Sequence, residues 1–227
     1  FLSHTRSIEG ELIDSSVLSI NYEAYDGLLL GGDLSYQSSE SIETLNGLDN
    51  IFNLSDPMTM WALGNHDVVT NPNLISSVTG RASYYANYFK GTTFIILNTE
   101  ENNGTINGSQ LAFFNNVMDT ISVSKNIVVL HHKLIWMRDN PALEPLISSV
   151  SNGPAGTCDF CLDDNNFYTD IYPKLIDAKN DGKNVYCLGG DSGNHNSTFT
   201  HFTADGSQHT AHGTSHETED KFGLVLQ

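Results

Sequence analysis

Short apolar runs alternate with amphipathic stretches along most of this sequence. Five runs have the length and composition of buried strands, at residues 27–30, 61–63, 94–97, 127–130 and 185–188. Stretches of helical length lie between them at 42–52, 110–121 and 168–178. This alternation predicts an α/β or layered α-β-β-α domain. Short strands at 199–203, 208–212 and 222–226 are expected to close the fold.

The length and charge of the chain exclude several functional classes. The 227 residues show no internal repeat and no linker, which predicts a single domain over residues 1–227. Ten Lys plus Arg stand against 27 Asp plus Glu, and a net charge of −17 disfavours general binding of nucleic acids or anionic membrane surfaces. No apolar run approaches the roughly 20 residues of a membrane-spanning helix. The missing initiator Met and the low Lys content favour a soluble, exported protein.

Four of the five apolar runs end in residue types that bind metals, and three of these four ends also contain glycine. These strand ends read Gly31-Gly32-Asp33, Gly64-Asn65-His66-Asp67, His131-His132 and Gly189-Gly190-Asp191. The carboxyl ends of strands in layered α/β folds are where ligands bind. Asp, Asn and His supply the oxygen and imidazole donors that Zn, Mn or Fe accept. The recurrence of this pattern predicts a metal-dependent active site at one edge of the sheet.

Taken in their order along the chain, these strand-end blocks resemble those of the calcineurin-like metallophosphoesterase superfamily, and the resemblance spans almost the whole chain. Residues 64–67 match its Gly-Asn-His-Asp block residue for residue. Residues 32–36, Gly-Asp-Leu-Ser-Tyr, are similar to the second block of purple acid phosphatases. The resemblance implies a four-layer α-β-β-α sandwich. It also implies a phosphoric ester hydrolase that acts on a small phosphorylated substrate with one or two divalent or trivalent ions (Zn, Mn or Fe).

The resemblance assigns a role to each matching residue. It implies that Asp33 bridges two metal ions, that Asn65 and His131 hold one of them, and that His66 assists at the phosphoryl oxygens. A bridging carboxylate offsets the repulsion between two cations, which then clamp a phosphate and activate water. Asp67 is expected to orient the neighbouring His66 ring and to raise its pKa, which suits a proton donor near neutral pH.

The first and last blocks depart from the superfamily pattern. His4 and Arg6 stand where the superfamily has Asp and His, and Asp191 and Gly193 stand where it has two histidines. One metal therefore keeps a full ligand set, which comprises Asp33, Asn65, His131 and Asp191. The other keeps only Asp33 and His4, with Tyr36 as a weaker candidate.

Arg6 suggests how the site compensates for the eroded first block. A guanidinium is permanently charged, pairs with a carboxylate and grips phosphate with two donors, so we hypothesise that Arg6 replaces the second cation. Two alternatives stay open. His195 or His201 restores the second metal, or Arg6 is only a solvated charge at a strand end.

Three functional hypotheses follow. The favoured one is hydrolysis of a phosphate mono- or diester by metal-activated water. The alternative is a catalytically weak or inactive relative that binds a metal or an anionic ligand, and a third is a structural or interaction protein.

A predicted surface loop at 152–166 carries Cys158 and Cys161, whose C-x-x-C spacing is compatible with a local disulfide, half of a metal site or two buried thiols.

Overall fold

Two β-sheets, with helices packed on them, build the described part of the chain. The structure is a computed structural model that describes residues 1–7, 12–143, 145, 161 and 163–191, together with the backbone of 197–202 and 208–213. The smaller sheet pairs β1 (Leu28–Leu30) with β2 (Thr59–Trp61) in parallel. A bridge between Leu2 and Leu30 places the N-terminal segment beside β1.

The larger sheet contains six strands, which are β3 (Tyr85–Phe89), β4 (Thr92–Ile96), β5 (Asn126–His131), β6 (Asn184–Gly189), β7 (Ser197–Phe202) and β8 (Gln208–Gly213). Their order across the sheet is β3-β4-β5-β6-β8-β7. The four central strands are parallel, and β3 and β7 pair antiparallel at the two edges. The carboxyl ends of β4, β5 and β6 therefore lie side by side, at the end of the sheet where these strands finish.

The helices are α1 (Ser15–Leu18), α2 (Ile42–Phe52), α3 (Asn65–Val68), α4 (Pro72–Thr79), α5 (Gly108–Thr120) and α6 (Tyr172–Asn180). Local chemistry sets their ends. The Ser41 hydroxyl accepts a hydrogen bond from the Thr44 N–H at the start of α2, and Asn53 ends that helix in the left-handed conformation. Pro72 begins α4, and Gly80 follows it at φ 67°.

Three buried apolar clusters hold the elements together. The first joins α2 and α4 to the smaller sheet, for example through Leu48, Ile75 and Trp61. The second contains side chains from both sheets, including Met60 of β2 and Leu130 of β5. The third joins the larger sheet to α5 and α6 through residues that include Val129, Phe114 and Leu175.

The predicted α/β architecture is confirmed, with small shifts of individual elements. The helix at 42–52 lies where the apolar pattern predicts it. The predicted strands β1, β2 and β4 to β8 lie within two residues of their expected bounds. The sequence did not predict β3 or α4. The expected strand at 222–226 and most of the loop at 152–166 lie outside the described residues.

Two expectations concern cysteines and membranes. Cys161 is disulfide-bonded, Cys187 is a buried thiol, and Cys158 lies outside the described residues. Within the part of the chain that the structure describes, no helix combines the length and apolarity needed to cross a bilayer.

Candidate metal centre

Four buried side chains from separate segments meet at the strand ends. We call His4, Asp33, His132 and Asp191 the strand-end cluster, and each is at most 3% exposed. Asp33 follows β1, and the N-terminal segment reaches it through a hydrogen bond from the His4 N–H to the Gly32 carbonyl oxygen. His132 follows β5, and its carbonyl oxygen accepts hydrogen bonds from the N–H groups of Gly190 and Asp191 after β6. Strand pairing within each sheet and packing of the two sheets against each other thus bring the four side chains together.

The spacing inside the strand-end cluster suits a shared metal ion. His132 Nε2 lies 3.6 Å from Asp33 Oδ1 and 3.5 Å from Asp191 Oδ1, and His4 Nε2 lies 3.4 Å from Asp191 Oδ1. The ligand atoms of His4, Asp33 and His132 all lie within 4.8 Å of one another. Two atoms bound to one Zn²⁺ at about 2.1 Å each lie about 3.4 Å apart in a tetrahedron. The separations are therefore too long for good hydrogen bonds and close to those of metal ligands.

Several nitrogen atoms in and beside this cluster are buried without a hydrogen-bond partner among the described residues. They are both ring nitrogens of His4, Nε2 of His132 and Nη1 of Arg6. An unsatisfied buried polar group costs about 1–3 kcal/mol, so a fold seldom gathers several of them in one place without a ligand. Imidazole nitrogens facing carboxylate oxygens form a donor set that Zn, Mn and Fe accept. The residues present fit a metal ion.

Charge interactions tune the two central groups. Burial opposes ionisation of Asp33, but the nearby His132, His4, His66 and Arg6 outweigh it and hold the pKa of that carboxyl below its usual value. Burial also disfavours the charged form of His132, yet Asp191, Asp33 and Glu100 raise its pKa to about 9. Without a metal, the ring is protonated at neutral pH, and a metal ion must displace this proton to bind.

The backbone at this site adopts conformations that are uncommon outside glycine. His4 and Asp33 have φ values of 50° and 56°. Gly64 allows the strand ends to approach closely, because a Cβ at that position would lie 2.8 Å from both the Asp33 nitrogen and His132 Cε1. Local strain of this kind is typical of functional sites, where the surrounding structure must hold it in place.

Asp67 supplies much of that support. One of its oxygens accepts hydrogen bonds from the Asp33 N–H at 2.8 Å, the Gly64 N–H at 2.8 Å and the Trp61 Nε1–H at 3.2 Å. The other accepts from the Leu34 N–H and from the Ser38 hydroxyl, at 3.1 and 2.5 Å. The carboxylate is fully buried. It fixes the backbone on both sides of the turn that carries Asp33.

The His66 ring is oriented by a different group from the one expected. Its Nδ1 lies 2.8 Å from the Tyr36 carbonyl oxygen, which requires Nδ1 to carry a proton and to donate it. Its Nε2 faces Asp33 Oδ2 at 3.9 Å, and the side chain is 34% exposed. The predicted contact from Asp67 to His66 is corrected accordingly, since the two Asp67 oxygens receive five other donors.

Of the two adjacent histidines, His132 faces the cluster. Side chains alternate along β5, so Val128 and Leu130 point toward the smaller sheet, while Ile127 and Val129 point toward α5 and α6. His132 continues the first set. His131 continues the second, with Nδ1 donating to the Lys133 carbonyl oxygen at 2.7 Å and Nε2 accepting from Trp136 Nε1 at 3.1 Å. The structure does not bring His131 to the cluster, and the ligand role predicted for it is reassigned below to His132.

Of the remaining predicted residues, Arg6 lies beside the strand-end cluster. Arg6 Nη1 is 3.6 Å from Asp33 Oδ2, and its guanidinium stands over the Tyr36 ring at 5.0 Å. Asn65 is the first residue of α3 and is partly buried. His195, Gly193 and the side chain of His201 lie outside the described residues.

Glu100 and Lys133 are polar neighbours that the sequence analysis did not select. Lys133 Nζ lies 3.9 Å from Glu100 Oε2 and donates to Asn103 Oδ1 at 2.6 Å. Burial raises the pKa of Glu100 to about 7, although His132 and Lys133 oppose the shift. A signal for Glu100 was present, because Asn98-Thr99-Glu100 follows an apolar run as the other strand-end residues do.

Comparison with known proteins assigns the family. A family model described as calcineurin-like phosphoesterase matches residues 11–190, which cover most of the chain. This chain belongs to the calcineurin-like phosphoesterase family. The match includes Asp33 and His132 of this phosphoesterase domain, whereas His4 and Arg6 precede the matched segment and Asp191 follows it directly. The family comprises phosphoesterases that bind divalent metals, and among the described residues His4, Asp33 and His132 of the strand-end cluster are suitable ligands. No curated protein gives a significant match.

Proposed function

We propose that this chain is a metal-dependent hydrolase of phosphate mono- or diesters whose metal is held by His4, Asp33, His132 and Asp191. The observation that carries the proposal is the buried group of His4, Asp33 and His132, with nitrogens that lack hydrogen-bond partners within the described residues. When bound, a Zn, Mn or Fe ion supplies a Lewis acid for a phosphoryl oxygen and lowers the pKa of bound water. Asn65, at the start of α3, is a further candidate ligand.

The proposal includes the architecture of the whole chain. We place residues 1–227 in a single domain with four layers, ordered helix, sheet, sheet and helix. The three apolar clusters support this order, because two of them each join one sheet to its own helices and the other contains side chains from both sheets.

Arg6 serves as a second positive charge beside one metal ion. Its side chain is 13% exposed, and its guanidinium faces the Asp33 oxygen that also faces His4 and His66. A fixed cation at this position binds a phosphate oxygen through charge-assisted hydrogen bonds. The chain would then bind about one metal ion rather than the two that its resemblance to the superfamily implies.

His66 is the residue best placed to move a proton. Because Tyr36 holds its Nδ1, Nε2 faces the site and donates its proton when the ring is charged. Partial exposure allows this nitrogen to reach a leaving oxygen and to exchange protons with solvent. Asp67 acts indirectly, as the group that holds the turn at Asp33.

Metal content and hydrolysis, measured together, test the proposal. The chain, Asp33→Asn and Asp26→Asn are assayed with p-nitrophenyl phosphate and bis(p-nitrophenyl) phosphate. Asp26 is a matched control because it is 72% exposed and pairs with Lys90 at the surface. We expect hydrolysis of at least one ester, loss of it in chelator and recovery with Zn, Mn or Fe. Asp33→Asn should lose the metal and reduce activity at least about 100-fold, a loss typical of removing a group that acts in the transition state.

Two other outcomes contradict the proposal. Bound metal without hydrolysis of either ester would favour the alternative, a non-catalytic relative that holds a metal or an anion. Absence of metal, even after incubation with Zn, Mn or Fe, would overturn the metal centre itself.

A further inference from the structure

An exposed aromatic ring stands at the edge of the candidate metal centre. Tyr36 is 50% exposed and lies three residues after Asp33. The Arg6 guanidinium carbon is 5.0 Å from the centroid of its ring, and the His66 ring meets it nearly edge-on at 6.4 Å. A phosphate held by Arg6 would therefore lie one side chain away from the ring.

The segment that carries Tyr36 is held in place from both sides. Ser38 donates its hydroxyl to Asp67 at 2.5 Å, and the Ser35 N–H donates to the Ser38 hydroxyl at 3.2 Å. The Ser38 N–H donates to the His66 carbonyl oxygen, and the Tyr36 carbonyl oxygen accepts from the His66 ring. The exposed ring is thus positioned before any ligand arrives, which reduces the entropy lost on binding.

The charge of the protein makes such a contact useful. A net charge of −17 repels phosphate esters in general, so long-range electrostatics contributes little to substrate capture. Aromatic stacking is insensitive to that repulsion and adds affinity through the uncharged part of the substrate.

We propose that the Tyr36 ring is a subsite for the leaving group, and that this domain prefers phosphate esters whose alcohol carries a planar aromatic ring, as in aryl or nucleoside phosphates. This inference rests on the proposed function, because Arg6 and the metal are what place the phosphoryl group. Tyr36 contacts the substrate beyond the scissile bond and takes no part in bond cleavage.

Binding of non-hydrolysable phosphonates tests the subsite without depending on turnover. Phenylphosphonate, cyclohexylphosphonate and methylphosphonate are titrated by calorimetry into the Zn-loaded chain, Tyr36→Phe and Tyr36→Leu. Phenyl and cyclohexyl groups are similar in size but differ in planarity. We expect the wild-type chain and Tyr36→Phe to bind phenylphosphonate about 3-fold to 10-fold more tightly than cyclohexylphosphonate. In Tyr36→Leu this ratio should fall to about one.

The ratio of phenylphosphonate affinity to cyclohexylphosphonate affinity distinguishes recognition of an aromatic ring by Tyr36 from a purely structural role of this residue. A structural disturbance in Tyr36→Leu would weaken all three ligands alike and leave the ratio unchanged, and that result would overturn the inference. Equal binding of phenylphosphonate and cyclohexylphosphonate by the wild-type chain would also overturn it, while binding of methylphosphonate would leave the proposed function standing. If methylphosphonate fails to bind the wild-type chain, the phosphate site fails and the subsite fails with it.

Discussion

The Asp67 carboxylate holds the backbone of Asp33, whose N–H donates to Asp67 Oδ2 at 2.8 Å. This hydrogen bond joins two of the polar strand-end blocks and has a structural role rather than a catalytic one. Asp33 has a φ of 56°, a conformation that needs outside support in a residue other than glycine. Asp67 provides this support while remaining fully buried.

Asp67→Asn is expected to weaken the fold as well as the site. The amide keeps one acceptor oxygen and places an NH₂ group against donors that now face a carboxylate, so at least one buried donor loses its partner. We expect the free energy of unfolding to fall by at least about 2 kcal/mol, measured by urea denaturation in the presence of chelator. Asp26→Asn is the surface control. An unchanged unfolding midpoint for Asp67→Asn would show that the five hydrogen bonds contribute little.

Alanine substitutions at the two adjacent histidines should have opposite effects. His132→Ala is expected to reduce bound metal to less than about one tenth of the wild-type content, because one of a few ligands is lost. His131→Ala should keep about one ion per chain and lower the free energy of unfolding by about 2–4 kcal/mol, since a buried side chain and its hydrogen bonds disappear. Elemental analysis of both variants shows which of the two histidines binds the metal. Metal loss from His131→Ala and from the milder His131→Gln, with retention in His132→Ala, would return the ligand role to His131.

Arg6 substitutions separate its charge from its geometry. Inorganic phosphate binding to the Zn-loaded chain should weaken about 10-fold to 100-fold in Arg6→Ala, because a charge-assisted hydrogen bond is lost. The phosphate affinity of Arg6→Lys should lie between those of wild type and Arg6→Ala, since lysine keeps the charge but lacks the planar guanidinium with its paired donors. Arg6→His should raise the metal content from about one ion to about two. Unchanged phosphate affinity in Arg6→Ala would contradict the proposed role.

Glu100 should make the stability of the metal-free protein depend on pH. Burial raises its pKa from 4.5 to about 7, so between these values the folded chain keeps a proton that the unfolded chain has released. Stability contributed by this group therefore falls as pH rises through that window. Between pH 5 and pH 8, we expect wild type to lose on the order of 2 kcal/mol more than Glu100→Gln, measured by urea denaturation in chelator. If the free energy of unfolding changed with pH in the same way in the two proteins, this buried carboxyl would be ruled out as the cause of the pH dependence.

Residue patterns predicted elements best where one local rule applied. The helix at 42–52 was predicted within its observed bounds because its apolar face is readable from the sequence. The exposed edge strand β3 was missed, because its alternating burial gives no continuous apolar run. For Glu100, the local signal existed but its partner Lys133 lies 33 positions away in the sequence.

The sequence by itself determined the α/β alternation and the residue types of the candidate metal centre, because the first follows from the local hydrophobic pattern and the second from donor chemistry. The tertiary structure decided which histidine enters the site. Both faces of β5 are buried, so the apolar pattern is continuous and does not show which face meets the smaller sheet. Packing of the two sheets settles that choice, and a shift of one residue exchanges His131 for His132.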